Sequence, residues 1–309
     1  MITTVTLNPM LDKTIAIHAF RRGTIERASR MDMVPGGKGV NVSRQLHRLG
    51  IETTATGFLG GDVGRTIMGL IETEGYRQEF VQTKATTREG LTFLEKDGTQ
   101  TAVFEPSSDV EPGEAEVLRQ TVASLAERSS WVVCSGSSPG PNADDIFYEA
   151  IQQALRTGCS CVLDSYGTVF ARALKAVPTL VKTNKSEFEQ SLKTPLSTER
   201  DIRSALQQIR KDGVQFCILT DGGGPAYASS GDGEWKVTPA VVKPVNPVGS
   251  GDAMLAGMLY GLVNKWGFER CLRFGAAAGA ANAAVWAVAS SSREEITKLE
   301  PSVGIEQLN

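Results

Sequence analysis

Asn246-Pro247-Val248-Gly249-Ser250-Gly251-Asp252, running straight into the apolar stretch from Ala253 to Leu262, decides how the rest of the chain is read. Glycines at 249 and 251 admit backbone dihedrals closed to other residues and leave no side chain between the main chain and a ligand. The helix predicted for the following run starts with N–H groups that lack intrahelical partners, and its dipole adds partial positive charge there. Such a turn suits a phosphate group. Asp252, at the start of that helix, stands where a carboxylate is electrostatically tolerated and can accept a proton from a hydroxyl. A glycine-rich turn with an ordinary Asp cap has the same signature, so other stretches have to decide between the two.

With 309 residues the chain can bury a large core. Hydrophobic content of 41% and charged content of 22% describe an ordinary globular protein, and a formal net charge of −3 offers no general attraction to nucleic acid or an anionic membrane. An anionic substrate must therefore be held by local cations. Five cysteines, at 134, 159, 161, 217 and 271, lie mostly in apolar runs without a C-x-x-C pair, as expected for reduced, buried thiols in a cytoplasmic protein. Met1 to Leu7 lacks a basic region before a long apolar one, and no run reaches the roughly 18 apolar residues of a membrane span.

Along the chain, strands and helices alternate. Thr3 to Leu7 reads as a strand ending at Asn8-Pro9. Gly36-Gly37-Lys38-Gly39-Val40-Asn41 leads into a helix with Val42, Leu46 and Leu49 on its apolar face, Arg44, His47 and Arg48 pointing away, and Gly50 as its stop. Asp62 to Glu74 repeats the helical pattern. Leu91 to Leu94 and Thr101 to Phe104 flank the turn Lys96-Asp97-Gly98-Thr99 as a hairpin. Continuous apolar strands are predicted at Trp131 to Cys134, Cys159 to Leu163, Leu180 to Lys182 and Phe216 to Thr220, each followed by a helix-length segment, and Phe268 to Ala289 reads as a closely packed helix or helix pair. This rhythm predicts an α/β fold: a mostly parallel sheet covered by helices, with ligand loops at the carboxyl ends of its strands. The expectation is one domain over residues 1–309, carrying a small β excursion built from about 12–33 and 88–106.

Taken together, the Gly36-to-Asn41 and Asn246-to-Asp252 motifs, in this order and about 200 residues apart, resemble the ribokinase-like, phosphofructokinase B type carbohydrate kinases over nearly the whole chain. Thr6-Leu7-Asn8-Pro9-Met10-Leu11-Asp12, Thr87-Arg88, Ser135-Gly136-Ser137, and Asn184 followed by Glu187 are similar to the phosphosugar branch. The resemblance implies a three-layer α/β sandwich with a β lid, ATP and Mg²⁺, and transfer of the γ-phosphoryl group to a sugar hydroxyl. The two β pieces fall where that lid would be. Tagatose 6-phosphate is the substrate expected first, with fructose 1-phosphate and fructose 6-phosphate as alternatives. A dinucleotide oxidoreductase is disfavoured because no G-x-G-x-x-G lies between a strand and a helix. A catalytically silent sugar-phosphate sensor would need a lost base or anion hole.

Residue by residue, Asp252 resembles the family's general base, and the amides of Gly249, Ser250 and Gly251 its anion hole. Asp12, Gly37 and Asn41 resemble sugar-hydroxyl contacts, with Lys38 and Ser137 beside them; a turn and a helix-capping Asn are the plainer reading. Arg27 and Arg88 lie on the two pieces of the expected lid and suit a sugar phosphate, against ordinary surface solvation. Lys182-Thr183-Asn184-Lys185-Ser186-Glu187 resembles the N-x-x-E element that organises Mg²⁺ largely through water, although the spacing alone also fits a capping box. Thr220, Gly222 and Gly224 resemble the nucleotide loop, with Pro225 where many relatives have a second spaced glycine. Glu89-Gly90 departs from the T-R-x-N that often follows this arginine. A sheet bearing Phe93, Leu94, Val103 and Phe104 would expose apolar surface, so a homodimer through the lid is expected.

Overall fold

In the computed structural model, which describes residues 1–308, the apolar runs line up in one 11-stranded sheet. From one edge the order is Gly304–Leu308, Gly233–Thr238, Ala226–Ser230, Phe216–Thr220, Leu180–Asn184, Ser160–Ser165, Trp131–Gly136, Ile2–Thr6, Thr53–Gly60 and Arg77–Gln78, with Val81–Thr83 also on Thr53–Gly60. Pairing is parallel from Phe216–Thr220 to the far edge and antiparallel through the other three strands. Trp131–Gly136 and Thr53–Gly60 are buried at every residue, which is why they read as unbroken apolar or small-residue runs.

Two cores form on opposite faces of the sheet. Helices Pro112–Glu127, Ile146–Arg156 and Glu199–Lys211 cover one face through residues such as Leu118, Phe147 and Leu206, and Lys38–Arg48, Ser250–Val263 and Phe268–Ala283 cover the other through Leu46, Leu255 and Phe274. The last two helices approach until a Cβ at Gly257 would lie 3.0 Å from the Gly275 Cα, so their small residues serve close packing. The chain leaves the helix at Ala283, six residues before the end expected from its alanine content, and turns back toward the Asn246 loop. All five cysteines are buried and free. Among the described residues, no helix is long and apolar enough to cross a membrane.

A smaller separate sheet carries strands in the order Arg30–Gly36, Met10–Ile17, Arg88–Glu95, Gln100–Phe104. Only its central pair is parallel. Asp12, Thr14, Thr92 and Leu94 share its buried face, while Met31, Met33 and Val103 are exposed on the other and Phe20 packs on Phe93. Leu94 therefore does not contribute to the exposed apolar surface expected of it. Arg44 points away from the apolar face, as expected, yet it is only 3% exposed, held by Glu74 Oε2 and the Pro35 carbonyl. Its helix is covered on the sheet side and again by helix Gly61–Glu74 and strand Arg30–Gly36, so a polar residue can point away from the sheet and still be buried.

Candidate active site

The helix after the Asn246 loop starts at Ser250 and is capped by Gly249, whose φ is 75°. A Cβ at 249 would fall 2.7 Å from Val288 Cγ1, so both dihedral and space require glycine. Asp252 is the helix's third residue rather than its cap, and its side chain makes no capping bond. Instead its Oδ2 accepts a hydrogen bond of 2.8 Å from Asn41 Nδ2. Of the three amides expected to form an anion hole, that of Ser250 already donates to the Pro247 carbonyl at 3.2 Å.

Asn282 holds this turn in shape. Fully buried, it donates through Nδ2 to the Val248 carbonyl at 2.8 Å and to Ser250 Oγ at 2.9 Å, while its Oδ1 accepts from the Ala289 amide at 2.5 Å. Asn246 joins the same two segments by donating to the Trp286 carbonyl at 2.9 Å. Sequence reasoning missed Asn282, although an isolated amide between Ala281 and Ala283 is a signal: a buried polar group needs partners.

A chain of charges runs beside the turn. Lys38 Nζ donates to Asp164 Oδ1 at 2.9 Å and to Glu187 Oε1 at 2.5 Å, and Lys182 Nζ donates to Asp164 Oδ2 at 2.9 Å. The Lys182 ammonium also lies against the turn, 3.3 Å from where a Cβ at Gly251 would be. Asp164, absent from the expected site, is fully buried at the end of strand Ser160–Ser165. Burial pushes its pKa up, but Lys182 and Lys38 prevail and hold it below the ordinary carboxylate range. Asp252 goes the other way: burial first, then the Asp164 charge, push it up to about 6 against Lys38, Asn41 and Lys182. Lys38 stays charged despite burial because Asp164, Glu187 and Asp252 surround it.

On strand Met10–Ile17, Asp12 is 2% exposed with Oδ1 unpartnered, and burial pushes it up to about 6 against the opposing Arg44 charge. Gly37, at φ 112°, begins the Lys38–Arg48 helix where a Cβ would meet Thr6 Cγ2 at 2.8 Å. Asn8 Nδ2 donates to Ser107 Oγ at 2.7 Å and to Ser137 Oγ at 3.2 Å. Arg88 donates from Nη2 to the Asn8 carbonyl at 3.2 Å, faces the Phe104 ring, and keeps a buried Nε without a partner. Asp12, Ser137 and Arg88 thus sit on connected elements. Arg27 does not join them: it is exposed in the loop between strands Met10–Ile17 and Arg30–Gly36. Behind Arg88, Glu89 pairs with Lys13 at 2.5 Å, and Met10 Sδ and the Phe104 ring occupy the space beside Gly90.

A cleft of about 740 Å³ reaches the turn, lined by Asn184, Thr220, Gly222, Gly224, Ser250 and Gly251 and walled by apolar residues including Val237, Val242, Met254 and Ala280. Pro225 leaves its loop intact, since Gly224 N–H closes a turn on the Asp221 carbonyl at 2.8 Å. Asn184 and Glu187 form a reciprocal capping box on helix Lys185–Leu192: Glu187 N–H donates to Asn184 Oδ1 at 2.8 Å, and Asn184 N–H to Glu187 Oε2 at 3.2 Å. With Glu187 Oε1 taken by Lys38, neither residue presents a free set of ligands, and no group of three or more His, Cys, Asp or Glu among the described residues could hold a metal. This donor set fits an ion that keeps its waters, as Mg²⁺ does, and does not fit a closed protein cage.

Residues 5–294 match the pfkB family carbohydrate kinase profile. The chain is 32% identical to the tagatose-6-phosphate kinase of Staphylococcus epidermidis and 30% identical to the 1-phosphofructokinase of Borreliella burgdorferi, covering 92% of each chain in both comparisons. The crystal structure of phosphofructokinase-2 from Escherichia coli in complex with substrates and products superposes with a TM-score of 0.88 at 27% identity, over 97% of this chain and 98% of that one. The chain belongs to the pfkB family of carbohydrate kinases and is an ATP-dependent sugar-phosphate kinase.

Proposed function

We propose that this kinase phosphorylates the 1-hydroxyl of tagatose 6-phosphate, giving tagatose 1,6-bisphosphate and ADP. The observation that carries the reading is the Asp252 carboxylate, fixed 2.8 Å from Asn41 beside a glycine turn that opens onto the 740 Å³ cleft. With ATP in that cleft, its γ-phosphoryl group meets the Gly249 and Gly251 amides and the Lys182 ammonium. Asp12 and Asn41 orient the sugar, Asp252 takes the proton of the attacking hydroxyl, and the transferred group passes in line without a covalent enzyme intermediate. A base pushed up to about 6 is ionised at neutral pH yet basic enough to share a proton as the hydroxyl reacts. Asn184 and Glu187 would hold Mg²⁺ through water, and the ion would supply positive charge for the transferring phosphoryl group. Arg88, with its unpartnered Nε, takes the sugar's phosphate, and Arg27 joins it when the small sheet closes as a lid and excludes water.

The tagatose-6-phosphate kinase relative at 32% identity supports the choice of sugar, and the 30% identity to a 1-phosphofructokinase keeps fructose 1-phosphate as the second reading. The small sheet's exposed Met31, Met33 and Val103 favour a homodimer through that face, and five free thiols suit the cytoplasm. A coupled ADP assay over tagatose 6-phosphate, fructose 1-phosphate, fructose 6-phosphate and their unphosphorylated parents tests the assignment. Tagatose 6-phosphate should give the highest kcat/KM; a higher value for either fructose phosphate rejects the sugar, and equal turnover of the free sugars rejects the phosphate requirement.

A further inference from the structure

We infer that Arg44 is a positioning residue for the phosphoryl transfer, acting on the base Asp252 through the side-chain amide of Asn41. Arg44 and Asn41 lie one turn apart on helix Lys38–Arg48, and Arg44 Nη1 donates to Asn41 Oδ1 at 2.9 Å. That bond decides which way the amide faces. With the oxygen committed to a guanidinium, which has donors and no acceptor, the NH₂ group must point to the other side, where it meets Asp252 Oδ2 at 2.8 Å. Turned over, the amide would set its NH₂ against the guanidinium and its oxygen against the carboxylate, two repulsions in place of two hydrogen bonds.

The guanidinium is itself fixed on every side. Nε donates to Glu74 Oε2 at 2.8 Å, at the end of helix Gly61–Glu74, and Nη2 donates to the Pro35 carbonyl at 2.5 Å, on the last residues of strand Arg30–Gly36. At 3% exposure it has little access to water that could replace these partners. One buried cation thus joins the edge of the small sheet, helix Gly61–Glu74 and the amide that holds the base. Its charge also opposes the effect of burial on Asp12, though no hydrogen bond joins the two side chains. Lysine could supply the charge but not three donors in a rigid plane.

The inference rests on Asp252 acting as the base, and the test separates the two. In a double-mutant cycle measured as kcat at saturating sugar phosphate and ATP, Asn41→Ala and Arg44→Met should each lower kcat by roughly 10- to 100-fold, below the full loss of a general base. If Arg44 acts through Asn41, the double variant should be no worse than the poorer single one, within about threefold. Arg44→Lys should recover part of kcat when Asn41 is present and none when it is absent; should Arg44→Met fail to fold, the same cycle is run with Arg44→Lys. Losses that multiply, or an Arg44 variant whose melting temperature falls while kcat holds, overturn the role of Arg44. An Asp252→Asn enzyme with near-native kcat instead overturns the base assignment, whatever the cycle gives.

Discussion

Replacing Asp252 by Asn should produce a protein that is nearly inactive and more stable. In the fold the carboxyl is pushed up from 3.8 to about 6, by burial and the neighbouring Asp164 charge, after the favourable effects of Lys38, Asn41 and Lys182 are included. A shift of two pKa units corresponds to about 3 kcal/mol, the penalty for holding this group ionised at neutral pH. Because the folded value lies above the unfolded one, the native state binds more protons between the two. The stability linked to Asp252 is therefore fully present below 3.8 and lost as pH rises through about 6. Asn carries no charge, can still accept from Asn41, and removes that penalty, so at pH 7.5 the variant should gain on the order of 1 to 3 kcal/mol, with partial relaxation of the site reducing the upper figure. Near pH 4 the gain should vanish. Urea unfolding of both proteins across this range measures it, and kcat should fall by at least about 10²-fold. A variant less stable than wild type at pH 7.5, or a gain that is the same at pH 4 and 7.5, would refute the electrostatic reasoning even if activity were lost.

In the wild type, kcat/KM should decline on the acid side with a limb near pH 6, roughly tenfold per unit if only Asp252 must be ionised and steeper if Asp12 must be too; a limb near pH 4 contradicts the raised values. Arg88→Ala should raise KM for the sugar phosphate roughly 10- to 150-fold, as expected for one charge-assisted hydrogen bond, with little change in KM for ATP. Equal losses with phosphorylated and unphosphorylated sugars would remove Arg88 from phosphate binding. Charging the exposed face of the small sheet, by Met33→Lys with Val103→Lys, should turn a dimer into a monomer in sedimentation at micromolar concentration, and a wild type that sediments only as monomer would dispose of the interface.

The features legible in the sequence were those whose signal lies in consecutive residues. Strands Trp131–Gly136 and Phe216–Thr220 were visible because a strand in the middle of a parallel sheet is apolar throughout, and the small sheet because its alternation broke the α/β rhythm. The turn at Gly249 was visible because a left-handed dihedral and a crowded Cβ both demand glycine in a short stretch. The burial of Arg44 was not legible for a physical reason: helical periodicity places it correctly off the apolar face but has no knowledge of a second layer on the other side. Asp164 was missed because one carboxylate after an apolar strand looks like an ordinary strand end until its cations are known. Those cations come from elsewhere in the chain, Lys38 being 126 residues away and Lys182 18 away, and the base and its amide partner are 211 apart. A local pattern can therefore identify a group able to accept a proton, whereas the protonation state and aim of that group are set by buried partners that only the folded chain brings together.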